Sequence, residues 1–305
     1  MHRRKRHPLP SLPRKRGRER ARRGVARGLG GADPICSSHR ANHTAFRMLQ
    51  RDASPENPEP QDAADLSPWL IAMAEFVLAE TTPTPLPHVP EITLRLARES
   101  VPLWDKIERN RDLRGGPPYW GFAWAAGLAL ARHVIDHPHL VAGRRVLDLA
   151  SGSGLIGIAA AQSGAAHVIA NDVDPLAVIA ISLNADANGV AVQASAADLL
   201  PPDNGFDPAA VDVVLVGDVF YDHDLAGRAF AFLERCRAAG CLVLIGDPGR
   251  ADLPSERLTK ISDQSVPVTR NCQNVAAAGP DGADYDFRPA AVWAFAGSVA
   301  HADVA

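Results

Sequence analysis

Five residues, Arg145-Val-Leu-Asp-Leu149, run without a break into Ala150-Ser-Gly-Ser-Gly-Leu-Ile-Gly157, and that junction leaves the chain few options. The first stretch is short and apolar, as a buried strand is; the second is a glycine loop that opens a helix. The same rhythm continues downstream. Strands are expected over 145–149, 167–171, 193–197, 211–216, 241–245, 266–270 and 291–296, with helices over 125–135, 155–163, 176–188 and 225–238. Runs such as Val211-Asp-Val-Val-Leu-Val216 are what strands covered on both faces look like. Strand, helix and strand in such steps imply right-handed crossovers. The expected fold is therefore α/β: a doubly wound, mostly parallel seven-stranded sheet.

What precedes this region is a different kind of sequence. Residues 1–47 carry 14 Lys and Arg against two acids, whereas residues 48–305 carry 18 against 33. The basic stretch shows no apolar face at either helical or strand spacing, so it is read as a disordered tail, with residues 50–62 as a proline-rich linker. Such a tail fits a nucleic-acid arm. It fits better a solvated extension upstream of a start at Met48, and poorly a transit peptide, for want of a leucine or phenylalanine face. The chain thus divides into a tail and linker over 1–62, a helix-and-strand extension shaping the substrate site over 63–124, and a cofactor-binding domain over 125–298. In the extension, Ser67-Pro68 reads as a helix start, 82–90 as a proline-rich turn and Ile92-Thr-Leu-Arg-Leu96 as a strand. Four scattered cysteines (Cys36, Cys236, Cys241, Cys272) make no disulfide framework or zinc motif, which points to a reducing compartment. No run approaches the roughly 18 to 20 apolar residues of a membrane span, and no secretory signal follows the basic start. A cytoplasmic protein is expected, with a mitochondrial matrix as the alternative home.

The glycine loop suits a nucleotide-like cofactor, because Gly152 and Gly154 allow close backbone approach and the helix start offers free N–H groups. Its spelling, Gly152-x-Gly154-x-x-Gly157 with Asp172 twenty residues on, satisfies the dinucleotide fingerprint and alone does not separate that ligand from S-adenosylmethionine. Asp148 favours the second, since it can face that cofactor's ammonium and, through water, its loop. Asp172 suits a ribose diol, because a carboxylate accepts two hydroxyl hydrogen bonds. Asp198 would sit beside the adenine amino group.

Val146-Leu-Asp-Leu-Ala-Ser-Gly-Ser-Gly154, Ala170-Asn-Asp-Val-Asp-Pro175, Asn184 with Asn188-Gly189, and Gly217-Asp-Val-Phe-Tyr-Asp222 together resemble the class I, seven-strand methyltransferases. Within them, Pro118-Tyr-Trp-Gly-Phe-Ala-Trp124, the Gly-Asp-x-Phe-Tyr-Asp segment and Leu244-Ile-Gly-Asp-Pro-Gly-Arg250 are similar to the electron-transfer-flavoprotein β-subunit lysine methyltransferases. The resemblance covers about residues 90–296. It implies S-adenosylmethionine as cofactor, held around Asp148, Ala150, Gly152, Gly154, Asp172 and Asp198, with Ala150 where the usual loop has its first glycine. It also implies a lysine acceptor captured and oriented by Asp218, hydrogen-bonded by Tyr221 and walled by Trp120 and Trp124, on the flavoprotein β subunit or, alternatively, on a ribosomal protein or small amine. A nicotinamide-dependent oxidoreductase is the remoter alternative, supported only by the glycine spelling. No metal is called for: Asp218, Asp222, His223 and Asp224 read as an acidic loop capping a helix, and His133, His137 and His139 as surface residues. The 247–250 segment reads as a tight turn or a contact at the rim of the site.

Overall fold

The computed structural model describes residues 63–97, 100–110, 113, 115–269 and 285–296. The basic tail and the whole linker lie outside them, as do Cys36 and Cys272. Strands β3 (Arg145–Leu149), β4 (His167–Asn171), β5 (Gln193–Ser195), β6 (Val213–Gly217) and β7 (Leu242–Asp247) pair in parallel. A hairpin of β8 (Leu258–Thr269) and β9 (Tyr285–Phe295) completes a seven-stranded sheet in the order β5-β4-β3-β6-β7-β9-β8. Within this sheet β9 alone runs opposite to the other six strands. The mostly parallel sheet expected from the sequence is thus present, and β3 and β4 have the expected bounds. The hairpin strands are longer than expected, because β8 is an edge strand whose polar run Thr259-Lys-Ile-Ser-Asp-Gln-Ser265 hides its pairing.

Alternation along β3 divides the core. Val146 faces the helices α3 (Ala125–Asp136) and α4 (Leu155–Gln162), while Leu147 and Leu149 face α6 (His223–Ala238) through Phe230, Phe232 and Leu233. Helix α3 lies almost directly on the strands: a Cβ on Gly246 would run into the Ala126 carbonyl, so only glycine permits this approach. That contact fixes the residues just before α3 against the carboxyl edge of the sheet. His133, expected at the surface, is instead 3% exposed on α3, stacked on His137 with ring centroids 4.3 Å apart. Burial pulls its pKa down to about 4 and keeps the ring neutral.

Helix α5 (Pro175–Ala187) is apolar all round, from Leu176 to Ala185, and a helix of that kind must be covered on every side. The sheet covers one side. The other is covered by α1 (Ala63–Glu80) and α2 (Ser100–Arg109), which contribute Met73, Val77, Leu103 and Ile107 to a core shared with Leu176, Ile179 and Trp120. Helix α1 starts at Ala63, earlier than the Ser67 start expected, with Pro68 in its second turn. The expected turn over 82–90 is instead largely paired: β1 (Thr81–Leu86) and β2 (Val89–Ala97) form an antiparallel hairpin. Pro83 and Pro85 are exposed at alternate positions of a strand that pairs on one side only, a place that tolerates the missing N–H. Asn184 of α5 and Asn188, the residue that caps its C-terminus, bind this hairpin. The Oδ1 atoms accept from the Arg95 and Thr93 N–H groups at 2.7 and 3.0 Å.

Candidate active site

The strand order reverses between β3 and β6, since the chain steps outward from β3 to β4 and β5 and then returns to β3's other side. Open α/β sheets bind ligands at such a point, beyond the carboxyl ends of the strands. A cavity of about 350 Å³ lies there, lined by the ends of β3 and β4, the segment after β5 and the start of the β6–α6 connection. Ala150, Asp172, Asp198, Asp218, Tyr221 and Trp120 all line it. Asp148, Gly152, Gly154 and Trp124 do not appear in its wall.

Three of the missing four, Asp148, Gly152 and Gly154, explain how the loop is built. Asp148 is fully buried and reaches forward to its own loop, accepting from Ser151 Oγ at 2.5 Å and from the Gly157 N–H at 2.8 Å, while Oδ1 has no protein partner. Burial pushes its pKa up to about 7 despite those two hydrogen bonds. Its place is therefore under the loop, tying strand to helix, where the sequence reading faced it toward the cofactor. Gly154 sits at φ +85° with Ile181 Cα 3.3 Å from where a Cβ would be, so it serves the packing of α5. The loop is tethered on its other side by Asp172, whose two oxygens accept from the N–H groups of Gly152 at 2.8 Å and Asp174 at 3.0 Å. Asn171 holds the next segment, its Nδ2 donating to the Ala197 carbonyl at 2.8 Å just before Asp198. Ala150 adopts φ +52°, a left-handed position that favours glycine.

The opposite rim is built from side chains. Asp218 also has positive φ, at +54°, and its N–H donates to the Gly246 carbonyl at 3.0 Å. Both its oxygens are taken by Arg250, Nε to Oδ1 at 2.7 Å and Nη2 to Oδ2 at 2.9 Å, a fork-on-fork pair. Arg250 is set by Asp247, buried at the end of β7, which accepts the Gly249 and Arg250 N–H groups at 2.6 and 2.7 Å. The 247–250 segment is thus a side-chain-closed turn that delivers an arginine to the rim. Over it stands an aromatic ridge. Tyr119 packs on Tyr221 with ring centroids 5.4 Å apart, and on Trp124 and Trp104 at 5.8 and 6.3 Å. Trp120, 1% exposed, forms the inner wall. Trp124 stands behind Tyr119, donating from Nε1 to the Tyr119 carbonyl at 3.1 Å. Asp222 caps α6 by accepting from the Leu225 N–H, as an acidic cap should. Among the described residues no group of three or more His, Cys, Asp or Glu is arranged to hold a metal ion.

Comparison with known proteins agrees with this geometry. The electron transfer flavoprotein beta subunit lysine methyltransferase of Xenopus laevis is 34% identical over 82% of this chain and 97% of its own length. Its Danio rerio counterpart is 37% identical over 64% of this chain and 72% of its own length. The chain belongs to this methyltransferase family. The human member is 41% identical over 53% of this chain and 60% of its own length. The ribosomal protein L11 methyltransferase (PrmA) family description matches residues 133–217, which end with the last residue of β6.

This methyltransferase uses S-adenosylmethionine as its methyl donor, and the cavity suits that molecule. Each Asp172 oxygen spends one lone pair on a backbone N–H and keeps another for a ribose hydroxyl. Asp198 lies further along the wall, with apolar Leu199 and Leu200 beside it for a flat base. The dinucleotide spelling misleads because Gly154 and Gly157 are occupied elsewhere, against Ile181 and Asp148. Three residues of the site stood in motifs of the sequence but were given no role of their own there. Tyr119, the hub of the ridge, was hidden among the tryptophans of its own segment. Arg250 was read within a segment taken as either a tight turn or a rim contact, without its partner Asp218. Asn184 donates from Nδ2 to the Ser153 carbonyl at 2.8 Å, joining the loop to the β1–β2 hairpin through one amide; its burial inside an apolar helix was the available signal.

Proposed function

We propose that this chain transfers the methyl group of S-adenosylmethionine to a lysine side chain of the electron transfer flavoprotein β subunit. The main support is the 34% identity running through 82% of this chain, since a stretch of that length in 305 residues must include both the Trp120 and the Tyr221 segments. The ribosomal protein L11 family match stops one residue before Asp218, so it speaks for the cofactor half and leaves the acceptor rim outside. A ribosomal protein is therefore the second reading, and a cytoplasmic home is part of the proposal, supported by scattered cysteines that fit a reducing compartment.

When bound, the cofactor supplies a methyl group already activated on a positively charged sulfur. Asp172 would hold its ribose diol, Asp198 its adenine amine, and the Ala150 backbone its central portion. The remaining tasks are alignment and delivery of a neutral amine. A lysine has a reference pKa of about 10.4 and arrives protonated. Entry past Tyr119, Tyr221 and Trp120 strips water from the ammonium, which favours loss of its proton to solvent. Tyr221 is pushed up to about 12 by burial and by neighbouring Tyr119 and carboxylates, so its phenol keeps its proton and serves as a hydrogen-bonding partner instead of a base. The amine lone pair would accept the methyl of the bound cofactor, the carbon–sulfur electron pair staying on sulfur, so the product would be a methylated ammonium and the single proton released would be the one already lost to solvent. Incubation of the protein with methyl-labelled S-adenosylmethionine and purified electron transfer flavoprotein, read by peptide mass spectrometry, should place label on a β-subunit lysine. Label on a ribosomal protein in a cell extract, with none on the flavoprotein, would replace the substrate.

A further inference from the structure

The acceptor carboxylate of this site is not open. Asp218 is held through both oxygens by Arg250, with side chains 10% and 37% exposed respectively. The pair is prepared on both sides: Asp218 sits in a left-handed backbone conformation closed by its N–H on Gly246, and Arg250 sits on the turn that buried Asp247 closes. A strained non-glycine residue held this firmly marks a position whose orientation matters. The charged and titratable groups around the pair come from four places: Tyr119 before α3, Asp172 after β4, Tyr221 and Asp222 before α6, and Asp247 at the end of β7. Among these groups of the described residues, Arg250 itself is the one cation.

We propose that Arg250 is a positioning residue for the acceptor, holding Asp218 as a closed ion pair so that the amine entering beside it meets a neutral pair instead of an open anion. This rests on the lysine reading above. An open carboxylate a few ångströms away would stabilise the ammonium form and withhold the lone pair that the reaction needs. The closed pair leaves Asp218 an oriented hydrogen-bond acceptor while cancelling its charge.

The test is the pH dependence of kcat for methylation of purified electron transfer flavoprotein by wild-type enzyme and by Arg250→Gln, Arg250→Lys, Asp218→Asn and the Asp218→Asn/Arg250→Gln double variant. In Arg250→Gln the acidic limb should move up by about one pH unit, so that kcat near neutral pH falls about tenfold and recovers at high pH, without a rise in KM. Arg250→Lys, which keeps the charge, should hold the limb near its wild-type position. With Asn at position 218, adding Arg250→Gln should leave the limb where it is. Asp148, Asp174 and His223 titrate in all of these proteins, so the difference between them reads the pair. A limb that stays put in Arg250→Gln, with kcat lowered equally at every pH or unchanged, overturns the proposal. So does weakened binding of S-adenosylhomocysteine by that variant in calorimetry, which would place Arg250 on the cofactor side. If the wild-type label falls on an acceptor other than lysine, the substrate reading fails and takes this proposal with it, an outcome distinguishable from an unmoved limb.

Discussion

Asp172 and Asp218 each follow the last residue of a parallel strand and each line the same cavity, but they are held by different means. Asp172 is fastened to backbone, by the N–H groups of Gly152 and Asp174. Asp218 is fastened to a side chain, Arg250, that arrives from the end of β7. Backbone donors fix a carboxylate without cancelling its charge and leave lone pairs for a ligand; a guanidinium fixes it and neutralises it. The first suits a cofactor whose hydroxyls need acceptors. The second suits a rim where a cationic side chain must enter and give up its proton. The contrast extends to the walls, which are loop backbone and small residues on the β3 and β4 side and an aromatic ridge on the other.

Substitutions can break this contrast. Asp218→Ala should lower methyl transfer at least about a hundredfold while S-adenosylhomocysteine binding, followed by calorimetry, stays as in wild type. Full activity would remove Asp218 from the acceptor rim. Asn184→Ala should lower stability to unfolding by about 2–4 kcal/mol, since the Arg95 N–H and the Ser153 carbonyl both lose a buried partner. Chemical denaturation checks this, and an unchanged midpoint would mean that water replaces the amide. Asp172→Ala should weaken S-adenosylhomocysteine binding about 10- to 100-fold while leaving the folded state largely intact. Equal binding would move the ribose elsewhere.

Two smaller tests sharpen the picture of the cofactor side. Burial raises Asp148 to about 7 and Asp174 to about 6, above the ordinary carboxylate value of 3.8. The native state therefore holds more protons than the unfolded chain in that window, and stability should fall as pH rises from about 4 to 7. Asp148→Asn should flatten that slope in urea titrations repeated across the range; an identical slope would mean that Asp148 is ionised throughout. Ala150→Gly should stabilise by about 0.5 kcal/mol, the relief of a left-handed alanine less the added freedom of the unfolded chain. A lowered melting temperature would show that the alanine methyl packs usefully against the cavity.

Much of the cofactor side was legible in the sequence because its signals are local. Strand, loop and helix from Arg145 to Gln162 follow one another without interruption, and Asp172 and Asp198 stand where parallel strands end. Asp148 shows the limit: its position under the loop was readable, its direction was not, since a carboxylate in the strand can turn toward cofactor or loop and only packing decides. The β1–β2 hairpin was obscured because prolines 83 and 85 imitate a turn while Thr82, Thr84 and Leu86 carry the strand signal. His133 was misplaced because a polar side chain near a helix end gives no sign of which way the helix faces.

The sequence by itself determined the parallel core and the loop between β3 and α4, because apolar periodicity and glycine placement act over a few residues. Only the tertiary structure decided that Arg250 closes on Asp218, 32 residues earlier, and that Tyr119 stands over Tyr221. Those meetings depend on β6 and β7 lying side by side and on Gly246 letting α3 settle directly on the sheet. Contacts between distant segments are set by how whole elements pack, and no local pattern of residue types encodes them.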